Sequence, residues 1–237
     1  MNNLINQGKN KIFFCLFFFI SILFSEFSFA HGVSGKDADF LQQVDGQALI
    51  IFAYLGAKHM VTGYDHLLYL FGVLFFLNRL KDVALFVSLF ALGHSITLLW
   101  GVLSQTYINA YLIDSIIGLS IVYKAIENLG GIRKIFCYQL SPRVAVFCFG
   151  LIHGLGLASK LQDLVTSKNG LVANIISFNA GVEIGQIFAL SLAYLFIGWL
   201  KNLDNYPNYA RRSNLTMIFL GFLIAINQIS LYFLSAQ

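Results

Sequence analysis

Charged residues are scarce in this chain. They make up 11% of the 237 residues, whereas hydrophobic residues make up 58%. An ordinary soluble domain carries roughly 25% charged residues. A single soluble core of this size could not cover so much apolar surface, because folded monomers have too little interior. The composition excludes a soluble globular domain and a disordered chain, and it predicts an all-α fold: a polytopic membrane helical bundle.

Several motifs that would define other classes of protein are also missing. The three cysteines, at 15, 137 and 148, are scattered, so their spacing gives neither a disulfide framework nor a CxxC metal pattern. No P-loop is present, so the chain itself does not use ATP. The net charge of +4 is not gathered into a basic patch, and we therefore expect no nucleic-acid partner.

The first thirty residues have the pattern of a secretory leader. Lys9 and Lys11 precede an apolar run over 12–24, and Ser28 and Ala30 supply the small residues before a cleavage site. The run is shorter than the ~20 residues of a membrane span, so we predict a cleaved signal peptide over 1–30 rather than an uncleaved first helix. Cleavage would make His31 the N-terminus. Its amine and imidazole form a candidate N-terminal metal ligand, unless His31 simply follows the cut.

The mature chain divides into a short polar segment and a long apolar domain. Residues 31–45 are polar and are expected on the exoplasmic side. Residues 46–60 are apolar but too short to cross a membrane alone, which predicts a short interfacial or re-entrant helix. Six longer apolar segments predict six transmembrane helices after the signal peptide, at 62–78, 83–103, 110–128, 143–159, 171–200 and 213–234.

The basic residues predict how these helices are oriented. With the N-terminus outside, four basic residues fall on the outer side (Lys36, Lys58, Lys160 and Lys168) and eight in the inner connections (Arg79, Lys81, Arg133, Lys134, Arg143, Lys201, Arg211 and Arg212). This bias agrees with the positive-inside rule for six spans, whereas a seventh span at 46–60 would reverse it. We therefore expect a multi-pass protein of the cell inner (cytoplasmic) membrane, with the mature N-terminus on the periplasmic side.

The few ionisable groups within the apolar segments share one depth. A charged residue near the bilayer centre costs roughly 2.5–3.5 kcal/mol, so such groups are usually functional. Imidazoles with carboxylates suit a divalent first-row metal. The candidate metal ligands lie in the outer half of the bundle: His59, Asp65, His66, His94, His153 and Glu183. Nearby polar residues are candidates for supporting roles: Thr97, Asp114, Asn179 and Gln186.

Each candidate also has a purely structural interpretation. A single intramembrane histidine can serve as a hydrogen-bonding group between helices, as can Asn179 and Gln186. Asp114 can cap its helix. His59 and His66 are seven residues apart, so on a straight helix they align but stand about 10 Å apart. They could share one ion only if the helix breaks at Gly63, which lies between them.

Four sequence blocks carry a family resemblance. HMVTGYDH over 59–66 resembles the HX5DH signature of the HupE/UreJ family, and FALGHSITL, FGLIHGLGLA and FNAGVEIGQ resemble its later blocks in order. The resemblance covers about residues 47–200 and implies a HupE/UreJ-like transmembrane domain over 46–237. It implies a hydrogenase or urease accessory membrane protein of the kind thought to be nickel or cobalt permeases, with metalloenzyme maturation proteins as partners.

One block departs from the family's nickel-permease pattern, which is similar to FHGxAxGxE. Ile152 precedes His153, Gly156 and Ala158 exchange the small residues, and Lys160 stands at the position of the acid. Ni²⁺ is the expected ion, with Co²⁺, Zn²⁺ and Cu²⁺ left open.

The same residues allow three functions. The first is a divalent-metal permease, in which the metal ion and the lipid bilayer are the partners and no catalytic residue is assigned. The second is an intramembrane metal-dependent enzyme in which Glu183 serves as general base. The third is a metal-binding accessory or assembly protein. The oligomeric state is not determined by the sequence.

Overall fold

A computed structural model of the chain describes residues 41–75, 77, 79–136, 140–164 and 168–235. The predicted leader over 1–30 and His31 lie outside these residues. The described residues belong to one compact unit, Val33–Gln237. Across them, the regular secondary structure is helical and includes no strand, which confirms the predicted all-α, membrane-type bundle.

Eight helices follow one another in the described part of the chain. They are α1 (Leu49–Thr62), α2 (Tyr64–Leu74), α3 (Leu80–Ser104), α4 (Ala110–Asn128), α5 (Gly131–Phe136), α6 (Pro142–Leu164), α7 (Leu171–Lys201) and α8 (Tyr206–Ser235).

Four of the described helices, α3, α6, α7 and α8, are long and apolar enough to cross a membrane. The predicted third span coincides with α4, a 19-residue helix that also carries Asp114, Lys124 and Glu127. The predicted first span, 62–78, contains α2, which has only 11 residues. The total of six spans and the signal peptide therefore remain predictions.

The segment 46–60, predicted as a short interfacial or re-entrant helix, contains most of α1. The Ser177 hydroxyl of α7 donates to the carbonyl of Leu49 at 2.6 Å, and Lys201 at the other end of α7 donates to the carbonyl of Leu77 at 3.0 Å. Both α1 and α2 pack on α7. The two short helices therefore lie one after the other along α7, separated by the break at Gly63. The prediction of an interfacial or re-entrant helix at 46–60 stays a prediction.

Glycines bring the helices of the bundle into close contact. On α6, a Cβ at Gly150 would overlap the carbonyl of Phe90 on α3; on α7, a Cβ at Gly181 would overlap the carbonyl of Ala53 on α1. Small residues of this kind allow backbones to approach closely in membrane bundles. As a result, α1, α3, α6 and α7 share one interior, and side chains from separate helices meet there.

Candidate metal centre

The break between α1 and α2 creates the site. Helix α1 ends at Thr62 and α2 begins at Tyr64, with Gly63 in an extended conformation (φ −76°, ψ 102°). This φ is open to any residue, so the reason for glycine is space. A Cβ at Gly63 would overlap the imidazole ring of His66. The chain can therefore turn tightly around His66 only because residue 63 has no side chain.

Three imidazoles meet at this break. Each of His59, His66 and His153 offers one ligand atom, and these atoms all lie within 4.8 Å of one another. The ring centroid of His66 lies 5.2 Å from that of His59 and 4.7 Å from that of His153. The end of α1, the start of α2 and the middle of α6 each contribute one ring to this group, which we call the histidine cluster.

Asp65 and Met60 hold His66 in place. Asp65 Oδ1 lies 2.9 Å from His66 Nδ1 and accepts the His66 backbone N–H at 2.9 Å. The carbonyl of Met60 accepts from His66 Nε2 at 3.2 Å. This carbonyl lies in the last turn of α1, where the helix no longer supplies a backbone donor. Because a carbonyl only accepts, Nε2 carries the hydrogen. The Met60 carbonyl therefore fixes the tautomer of the ring and leaves Nδ1, beside Asp65, as the nitrogen with the lone pair.

Asp65 also extends toward the third histidine. Its Oδ2 lies 4.0 Å from His153 Nε2, and His153 Nε2 in turn lies 2.9 Å from His66 Nδ1. The side chains of Asp65, His66 and His153 are all at least nine-tenths buried. One buried carboxylate therefore lies within 4.0 Å of two buried imidazole nitrogens.

Several ring nitrogens at the site have no hydrogen-bond partner among the described residues. They are His59 Nε2, His94 Nε2 and His153 Nδ1. A buried polar atom without a partner is costly, and native structures rarely leave one unless it has a task. Imidazole nitrogens beside one carboxylate form a donor set that nickel, zinc, copper and cobalt accept. The chemistry of the cluster thus fits a divalent transition metal.

His94 lies next to the cluster but outside it. Its ring centroid is 6.2 Å from that of His153, and its side chain is buried. His94 Nδ1 donates to the side-chain oxygen of Asn179 at 3.2 Å. Because an amide oxygen only accepts, Nδ1 carries the hydrogen, and Nε2 is the nitrogen with the lone pair. The Asn179 amide on α7 thereby fixes the tautomer of His94 on α3.

Glu183 is not brought into the histidine cluster. It is only partly buried and accepts a hydrogen bond of 3.0 Å from the exposed hydroxyl of Ser88. Glu183 lies one turn from Asn179 on α7, but Ser88, its partner on α3, lies nearly two turns from His94. The depth that these residues share in the sequence did not reveal this difference in direction.

The supporting polar residues have separate roles. Thr97 donates to the carbonyl of Leu151 at 2.7 Å and so links α3 to α6. Asp114 on α4 accepts a hydrogen bond of 2.9 Å from the ammonium of Lys160 on α6. Gln186 is fully buried, and neither of its amide atoms has a hydrogen-bond partner in the part of the chain that is described.

Two groups that contact predicted ligands were not predicted from the sequence. The carbonyl of Met60 was overlooked because a backbone atom leaves no residue-type signal, although a break at Gly63 would free carbonyls at the end of α1. Ser88 was overlooked because a lone serine in an apolar helix is common. Its spacing of six residues from His94 gives no sign that it faces Glu183.

The fold and the site define an all-helical membrane protein with a buried histidine–aspartate cluster at a helix break. The chain belongs to the HupE/UreJ family: the family model described as HupE / UreJ protein matches residues 35–236. No curated protein and no solved structure gives a significant match to the chain. The family consists of accessory membrane proteins that handle metal for hydrogenases or ureases, and the histidine cluster is the part of this chain suited to that role.

Proposed function

We propose that the protein is a permease for a divalent transition metal, with nickel as its cargo. The observation that carries this proposal is the position of the histidine cluster at the break of the α1–α2 helix. Transporters commonly bind substrates where a membrane helix is discontinuous, because irregular backbone is tolerated there and lines the binding site. A cluster built only to hold helices together would not require the helix itself to be interrupted.

The proposed capture site consists of His59, Asp65, His66 and His153. A dication would be coordinated by the imidazole nitrogens and would offset the cost of burying the Asp65 carboxylate. His94 lies next to His153 with its Nε2 unpartnered among the described residues, so it is the expected next ligand along the route. Membrane potential would supply about 4.6 kcal/mol per 100 mV for a doubly charged ion, from ~2.3 kcal/mol per charge.

The cellular setting follows from the sequence pattern and the family. We place the protein in the inner membrane with its mature N-terminus in the periplasm, as the distribution of basic residues indicates. Nickel that enters the cell would then be available to a hydrogenase or a urease, and to the maturation proteins of that enzyme. Co²⁺, Zn²⁺ and Cu²⁺ are the ions that nickel must outcompete, since all of them accept imidazole ligands.

The enzyme hypothesis has less support. It requires a general base beside the bound metal, and Glu183, the residue considered for that role, is instead hydrogen-bonded to Ser88. No particular observation favours an accessory protein that binds metal without transporting it. The permease is therefore the function that the site supports best.

Uptake of nickel-63 tests the permease. Cells that lack other nickel importers would express the wild-type protein, His66→Ala or Asp204→Asn, the last being a control in an exposed loop. We expect wild-type and control cells to accumulate nickel and His66→Ala cells to lose at least about tenfold of the transport, because the ring contacts both Asp65 and His153. Equal uptake with and without the gene, at limiting nickel, would reject the proposal.

A further inference from the structure

A buried ion pair lies on α4, outside the histidine cluster. The ammonium of Lys124 contacts Glu127 Oε2 at 2.6 Å, and both side chains are almost completely inaccessible. Two charges removed from water are costly even when paired, and apolar residues of similar size would often be at least as stable. The pair therefore requires an explanation other than stability.

Lys124 lines a cavity of about 340 Å³. The cavity lies where the end of α2, the start of α3, the last part of α4 and the start of α6 meet, and its polar lining also includes Asp82, Ser141 and Arg143. This is the end of the bundle where most of the basic residues lie. The volume corresponds to roughly ten water molecules at ~30 Å³ each, so the cavity has room for a displaced lysine side chain.

Aromatic rings separate the histidine cluster from this cavity. Tyr69 and Phe149 are stacked with centroids 3.8 Å apart, and Phe90 lies 5.7 Å from Phe149. The rings of Phe149 and Phe90 lie 5.5 and 5.7 Å from the ring of His153. We call Tyr69, Phe90 and Phe149 the aromatic layer.

Lys124 lies immediately beyond the aromatic layer. A Cβ at Gly72, one turn after Tyr69 on α2, would come within 3.1 Å of Lys124 Cγ. His66 and Gly72 are six residues apart on α2, which corresponds to about 9 Å along the helix. A route from the histidine cluster to the cavity would therefore pass the aromatic layer and then reach the Lys124–Glu127 pair.

We propose that Glu127 is the inner ligand of the transported metal; this rests on the proposed permease function. Between transport events, the ammonium of Lys124 occupies the place of the metal at the Glu127 carboxylate. In the described arrangement the Lys124 ammonium pairs with the Glu127 carboxylate and repels an approaching dication. When Lys124 swings into the cavity, the Glu127 carboxylate no longer faces the ammonium and accepts the metal. The metal then leaves through the cavity, and Lys124 returns to Glu127. No covalent step is involved, and the charge at Glu127 is neutralised in both states.

Four variants of the full chain, purified and reconstituted in liposomes or nanodiscs, test this role. Glu127→Gln removes the carboxylate, and Lys124→Met removes the tethered cation. The double variant Lys124→Met/Glu127→Gln removes both charges, so it should be better tolerated than either single change. Lys81→Gln is the control, because Lys81 is an exposed cation at the same end of the bundle. Ni²⁺ binding is measured by calorimetry, and Ni²⁺ influx is measured with a dye inside the liposomes.

The variants should separate binding from transport. We expect Glu127→Gln and the double variant to bind one Ni²⁺ with the wild-type affinity, because the histidine cluster is intact, and to lose about tenfold or more of the influx rate. Lys124→Met should bind a second Ni²⁺ at the Glu127 carboxylate, because the competing ammonium is gone, and Lys81→Gln should behave as wild type.

Wild-type influx through either variant that lacks the carboxylate, or a single Ni²⁺ bound by Lys124→Met, would overturn the proposed role of the pair while leaving the permease intact. Absence of influx through the wild-type protein would instead overturn the permease itself. A variant that does not fold is recognised by the loss of the first Ni²⁺ site, and the double variant then decides the question.

Discussion

The substitution Gly63→Ala tests the geometry of the site with a single methyl group. A Cβ at this position would lie 2.8 Å from Nδ1 of His66 and closer still to two other ring atoms. The ring must therefore move. It would then lose the Asp65 and His153 contacts of Nδ1 and the Met60 contact of Nε2. The lost hydrogen bond to Met60 alone contributes about 0.5–1.5 kcal/mol. Moving the His66 ring out of its position should weaken Ni²⁺ binding by roughly 10–100-fold.

Gly198→Ala is the matched control. Residue 198 lies within α7, and a Cβ there would meet no atom within 4 Å. The control should bind Ni²⁺ as wild type does and gain up to about 1 kcal/mol of helix stability, because alanine favours helix over glycine. Calorimetric Ni²⁺ titration and thermal unfolding of the purified proteins give both quantities. Wild-type affinity in Gly63→Ala would refute the assignment of His66 to the metal centre.

Two further predictions concern the residues around the cluster. Asp114→Asn and Lys160→Gln should each lower the melting temperature more than the double variant does, since a single change leaves one charge poorly compensated; additive effects in this thermal-unfolding cycle would mean that the 2.9 Å pair is not coupled. Glu183→Gln should leave the calorimetric Ni²⁺ affinity unchanged, because the amide oxygen still accepts from Ser88 and the side chain is outside the cluster; a loss of about tenfold would return Glu183 to the ligand set.

The histidine cluster could be predicted in part from residue spacing. The HX5DH block identified His59, Asp65 and His66, and the interval of seven required a break at Gly63 if the two histidines were to meet. The structure contains that break, and the two rings are 5.2 Å apart. The role of His153 depended on how α6 packs against α2, which no local pattern encodes. Its depth in the sequence was compatible with the site but did not establish the contact.

The first membrane-associated segment illustrates the limit of hydropathy. Residues 46–60 were too short to span, so an interfacial or re-entrant helix was the expectation. In the structure α1 lies along α7, and α2 continues in the same direction. This arrangement keeps one segment before α3, so the predicted orientation of the later helices does not need a seventh span. Window-based hydropathy cannot show it, because the continuity of two half-helices depends on a third helix beside them.

Lys160 shows how a departure from a family pattern becomes intelligible in three dimensions. In the sequence it stands where the nickel-permease pattern has an acid. In the structure it is paired with Asp114 on α4. The carboxylate near this position is thus supplied by a different helix and is neutralised by the lysine. Sequence comparison reported a missing acid, whereas the packing of α4 against α6 reveals an ion pair.

Composition and residue order alone determined the class of this protein. Few charges, long apolar runs and four ordered motif blocks require helices in a lipid environment and identify the family, because these properties depend on local chemistry along the chain. Tertiary structure decided which polar groups meet. His153 joins the cluster and Glu183 turns toward Ser88, although both lie at a suitable depth. That choice depends on the rotation and close approach of neighbouring helices, which are set by packing between residues far apart in the sequence.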